Sequence, residues 1–65
     1  MHFLNGEQRA LIGSMRLNGW RRLAQNDPVQ AELISLGLAK ANPARRRLEI
    51  TEAGKAVRRM FRRAH

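Results

Sequence analysis

Residues Asn26–Ala53 read NDPVQAELISLGLAKANPARRRLEITEA, and the order of local signals in this stretch decides the architecture. Asp27 is a residue type that caps helix N-termini. Pro28 follows at the first helical position, where its fixed φ suits a helix and its missing N–H goes unused. Gln30 stands three residues after Asp27, the spacing of a capping box. Val29, Leu33 and Leu36 are four and three residues apart, so they share one helix face. Gly37 can end that helix in the left-handed conformation, with Leu38 beyond it to pack on the last turn. Leu38–Asn42 is then short and is closed by Asn42-Pro43, a turn signal. Arg47–Thr51 alternates, which puts Leu48 and Ile50 on one face of a strand. Between the strands lie Pro43, Ala44, Arg45 and Arg46. The stretch therefore predicts a helix followed by a hairpin with arginines at its tip and returning edge.

On the C-terminal side, Thr51 is a helix cap and Glu52 suits the positive end of the helix dipole. Ala53, Val57, Met60 or Phe61, and Ala64 recur at helical spacing as a narrow apolar stripe. Lys55, Arg58, Arg59, Arg62 and Arg63 cover the rest of that helix. On the N-terminal side, Met1–Leu4 is an apolar lead, and Asn5 with Gln8 forms a second capping box, with Glu7 beside it. Leu11 and Met15 are expected to face the core with Ala10 and Ile12. Gly13 either admits a neighbouring backbone, the reading preferred here, or is tolerated at about 1 kcal/mol relative to alanine. Asn18-Gly19 signals a turn before Trp20, and Arg21–Gln25 is expected to make one or two helical turns with Leu23 and Ala24 inward.

The runs Leu33-Ile34-Ser35-Leu36-Gly37-Leu38, Arg45-Arg46-Arg47-Leu48 and Ile50-Thr51-Glu52-Ala53-Gly54 resemble the closing part of bacterial and phage winged helix-turn-helix regulators. Asn5–Leu11 is similar to the first-helix opening of the same proteins, although the resemblance is continuous only over 27–54. It implies one α+β winged-helix domain over residues 1–65. Such a domain has about three to four helices and a short antiparallel sheet of two or three strands. In that family a small strand and a second helix precede the reading helix. Here the interval between Asn18 and Asp27 is too short for a full second helix.

A chain of 65 residues buries only about 60% of its unfolded surface, so its core is small. It contains no cysteine, which removes disulfides and cysteine-based zinc sites as staples and agrees with a reducing cytoplasm. The sequence shows no membrane-spanning apolar run and no signal-peptide pattern. The formal net charge is +8, unevenly spread. Residues 1–37 sum to +1, whereas residues 38–65 sum to +7. The hairpin and last helix thus carry the positive field, and a polyanion is the natural partner.

Catalysis has no support in the pattern. His2 and His65 sit at the two ends, and the acidic residues are scattered over different elements. No metal-ligand spacing, glycine-rich phosphate loop or cofactor motif appears. Double-stranded DNA is the expected partner, through three groups. Arg45, Arg46 and Arg47 suit bidentate phosphate contacts, with strand alternation turning Arg46 away from the other two. The outer face of the helix after Asp27 offers Gln30, Ala31, Glu32, Ile34 and Ser35, of which Gln30 and Ser35 can bond base edges. Arg21 and Arg22 beside Trp20 read either as a phosphate clamp or as solvated arginines with stems packed on the indole, and Arg58 and Arg62 can reach flanking backbone or an acidic surface. Trp20 itself reads either as a lid on the core or as a stacking surface. The 27–36 helix has no lysine or arginine, so a protein-docking module on a host or partner protein is the alternative. A homodimer joined through the first and last helices would cover Met60 and Phe61; folding back on the chain's own core would also cover them.

Overall fold

The computed structural model describes residues 4–15 and 18–63, with side chains through Met60. Three helices and a three-stranded antiparallel sheet follow in the order α1 (Gly6–Ser14), β1 (Trp20–Arg22), α2 (Pro28–Ser35), β2 (Ala39–Asn42), β3 (Arg47–Ile50) and α3 (Glu52–Arg63). The sheet order is β1-β3-β2, so the last strand in sequence lies in the middle.

Each helix starts where side-chain chemistry supplies a cap. At α1, Asn5 Oδ1 accepts from Gln8 N at 2.8 Å and Gln8 Oε1 accepts from Asn5 N at 2.9 Å, a closed capping box. At α2, Asp27 Oδ1 accepts from Val29 N (2.9 Å) and Gln30 N (3.3 Å). The reciprocal half is missing, because the Gln30 side chain turns inward. The end of α2 matches the sequence reading closely. Gly37 has φ 76°, Leu38 N donates to Leu33 O and Gly37 N to Ile34 O, each at 3.0 Å. That pair of bonds is a Schellman closure, and Leu38 is buried beside it.

The core consists of Ile12, Met15, Leu33, Leu38, Ala39, Leu48 and Ile50, with Leu4, Leu11, Leu23, Leu36 and Val57 packed around it. Two expected faces are rotated. In α1 the inward line runs through Gln8, Ile12 and Met15, leaving Ala10 exposed and Leu11 half-buried. In α3 the inward residue of the first turn is Gly54, and Ala53 and Met60 are exposed, Met60 at 66%. The cause lies at Gly54. A Cβ there would collide with Leu38 O and stand 2.6 Å from Ile50 Cγ1, so the helix rests its bare backbone on the β2 entrance. Ala53, about 100° round the helix, is turned to solvent. Gly13 shows the opposite, with nothing within 4 Å of a built Cβ, so the close approach expected there is absent. Ala64 lies outside the described residues.

Gly19 turns with φ 77°, and its N–H donates to Met15 O at 2.8 Å. The next residues are a strand, not the helical turns expected over Arg21–Gln25. Trp20, Arg21 and Arg22 face Glu49, Leu48 and Arg47 on β3. Three to five residues are too few to nucleate a helix unaided, whereas β3 offers a free row of backbone groups. Bonds from Ile50 N to Gly19 O and from Leu23 N to Arg46 O, both 2.9 Å, extend the pairing beyond the strand ends. Among the described residues no helix lies between β1 and α2. None is long and apolar enough to cross a membrane.

Gly54→Ala is expected to lower stability by about 1–3 kcal/mol through overpacking. Gly13→Ala, with open space and better helix propensity, is expected to raise it by about 0.5–1 kcal/mol. Thermal unfolding monitored by circular dichroism should move the two midpoints in opposite directions.

Candidate nucleic-acid interface

The β2–β3 hairpin is closed by Asn42 opposite Arg47, with residues 43–46 as its loop. Arg45 N donates to Asn42 O (3.2 Å) and Arg46 N to Pro43 O (3.1 Å), winding the tip into a tight turn. Arg46 takes φ 55°, a left-handed conformation that costs a residue with a Cβ about 1–2 kcal/mol. Both Arg45 and Arg46 are exposed, and neither guanidinium has a partner among the described residues. They belong to the turn, not the strand, so the alternation expected to turn Arg46 away does not govern them.

Strand alternation does govern β3 itself. Leu48 and Ile50 point into the core, so Arg47 and Glu49 project from the other face of the sheet. Their cross-strand partners share that face: Arg22 and Asn42 beside Arg47, Trp20 and Lys40 beside Glu49. Arg47 Cζ lies 4.1 Å from the centroid of the Trp20 ring, a cation–π stack. Asn42 Nδ2 reaches Glu49 Oε2 at 3.4 Å. Trp20, Lys40, Arg47, Glu49, Thr51 and Lys55 line a shallow open concavity where this face meets the start of α3. Trp20 is half-buried there, on the face opposite the core.

Arg21 and Arg22 do not form the expected clamp, because neighbouring strand residues face opposite ways. Arg21 sits on the Leu48 side, and its Nε donates to Ser14 Oγ at 2.9 Å, fastening β1 to the end of α1. Arg22 shares the outer face with Arg47 and is exposed.

Gln30 is displaced more completely from its expected role. It is 6% exposed; its Nε2 donates to Arg22 O (3.1 Å) and its Oε1 accepts from Ala24 N (2.9 Å). The amide therefore braces the link from β1 to α2 and offers nothing to a base edge. Of the expected base-reading residues on α2, Ser35 remains exposed, beside Ala31, Glu32 and Ile34. On α3, Arg58 is half-buried with Nε unpaired among the described residues, and Arg59 is exposed. Arg62 lies within α3, but its side chain, like that of Phe61, is outside the described ones. The Trp20–Arg47 stack escapes a sequence reading because it depends on the register between β1 and β3, which a helical assignment of 21–25 conceals.

No family model, curated protein or solved structure matches this chain.

Gln30→Ala should cost about 1–3 kcal/mol, since it strands a backbone donor and acceptor that the amide now satisfies. A lowered denaturant midpoint with unchanged secondary structure at room temperature would match this bracing role. An unchanged midpoint would contradict it.

Proposed function

We propose that this chain is a small DNA-binding protein of winged-helix type, a bacterial or phage transcriptional regulator that anchors on duplex phosphates through the β2–β3 hairpin. The observation that carries the reading is Arg46. A turn position with φ 55° favours glycine or asparagine, yet it holds an exposed arginine, next in sequence to the exposed Arg45. Local conformational preference argues against the residue, whereas a negatively charged polymer argues for it. The net charge of +8 and its concentration after residue 37 supply the wider field. Base selection is weak in this reading. Helix α2 carries no lysine or arginine, Gln30 is engaged internally, and Glu32 and Asp27 repel phosphate, leaving Ser35 as its exposed hydrogen-bonding group without a negative charge.

A second reading draws on that same helix. Ile34 is 39% exposed in a surface with Leu23, Ala24, Pro28 and Ala31, a composition suited to a protein contact. Capture of a host polymerase or nuclease that persists after nuclease treatment, without any DNA affinity, would favour this alternative.

If the chain neutralises about four to six phosphates, log K for a generic duplex should fall against log salt with a slope of about −4 to −5. A flat slope, or no binding at low salt, contradicts the proposal. Arg46→Gly separates the two roles of that position. It should match or exceed wild-type stability, because glycine suits the left-handed turn, while weakening binding to all sequences alike and reducing the slope by about 1. Parallel melting and fluorescence-anisotropy titrations measure both.

A further inference from the structure

The outer face of the sheet holds an arrangement that internal stability alone does not explain. Arg22 and Arg47 are direct cross-strand partners. The bonds from Ile50 N to Gly19 O and from Leu23 N to Arg46 O define the hydrogen-bonded pairs of this ladder. Arg22 and Arg47 fall between them, at a pair without backbone bonds, where Cα atoms are about 4.5 Å apart and side chains lie closest. Like charges in that relation destabilise a sheet. Neither guanidinium has an acidic partner among the described residues, although Glu49 lies on the same face and Asn42 approaches it instead. Arg47 lies over the Trp20 ring, 4.1 Å from its centroid. A guanidinium whose carbon sits over an aromatic ring is held in place without using its N–H donors, which stay available to an oxyanion.

We propose that Arg22 and Arg47 form a phosphate-binding fork on the outer sheet face, set at the base of the hairpin and separate from its tip, with Trp20 as the positioning residue that holds Arg47. The ligand is a backbone phosphodiester, whose negative charge offsets the like charges of this cross-strand pair. The inference rests on the DNA-binding reading and adds a second anchor, so that the duplex backbone lies along the sheet face and α2 stays clear of it. Lys40 and Lys55 line the concavity beside Arg47 and add to the positive field there, while Glu49 and Glu52 limit its positive excess.

The test uses the full chain with a labelled 12-base-pair duplex of generic sequence, read by anisotropy across a salt series. The emission of Trp20, the chain's single tryptophan, is monitored with an unlabelled copy of the duplex. Binding should change the Trp20 emission. Arg22→Ala should weaken binding about tenfold and reduce the salt slope by about 1, with an equal or higher melting temperature because a like-charge contact is gone. Arg47→Lys keeps the charge but loses the fork and should also bind about tenfold more weakly, at nearly unchanged slope. Trp20→Phe should retain most of the affinity and Trp20→Leu should not. If Trp20→Leu fails to fold, the two arginine variants decide alone. Wild-type binding with a steep slope, but with silent Trp20 emission or with either arginine variant binding as tightly as wild type, overturns the fork and leaves the DNA-binding reading standing. Absence of wild-type binding at low salt overturns both.

Discussion

A single threonine, through its hydroxyl and its backbone N–H, joins three elements of this small fold. Thr51 Oγ1 donates to Gly37 O at 2.7 Å and accepts from Gly54 N at 3.1 Å, while Thr51 N donates to Leu38 O at 3.1 Å. The exit of α2, the entrance of β2 and the first turn of α3 meet at this corner. Gly54 makes the meeting sterically possible, since any side chain there would strike Leu38 O or Ile50. The corner fixes the direction of α3 and anchors the open end of the β2–β3 hairpin. Its opposite end, with Arg45 and Arg46, is left as the projecting one. In a core this small, a local hydrogen-bonded junction contributes what a larger apolar interior would otherwise supply.

Much of the local chemistry at the ends of the elements was legible in the residues. Asn5, Asp27 and Thr51 cap as their chemistry suggests, Gly37 closes α2 in the left-handed conformation, and Leu48 and Ile50 face inward together. Such features depend on residues within a few positions of one another. The misses share a different cause. The strand at Trp20–Arg22 exists because β3, far along the chain, presents an unpaired edge. Gln30 leaves its capping position because a turn it does not adjoin in sequence offers two unsatisfied backbone groups. Glycine spacing alone did not distinguish Gly54, which permits contact, from Gly13, which does not. Only the placement of Leu38 makes that distinction.

The distribution of charge obeys the same division. Helix α2 and its cap carry Asp27 and Glu32 with an apolar surface between, whereas the hairpin and the outer sheet face carry Arg22, Lys40, Arg45, Arg46 and Arg47 against the single carboxylate of Glu49. A polyanion would be steered to the sheet side and repelled from α2 at distances up to about a Debye length, roughly 8–10 Å in physiological salt. In the proposed DNA complex, the sheet side would therefore meet the duplex first, and orientation would be set before close contact. Arg47 stacked on Trp20 needs little reordering to receive a phosphate, and this reduces the side-chain entropy lost on association.

The link between β1 and α2 also works as a mechanical strut. Leu23 N is bonded to Arg46 O at the hairpin tip, and the adjoining Arg22 O and Ala24 N are both held by the buried Gln30 amide of α2. A load applied at the tip is thereby passed through three consecutive residues into α2. Tip and helix are expected to shift as one rigid piece, so the link between them does not act as a hinge.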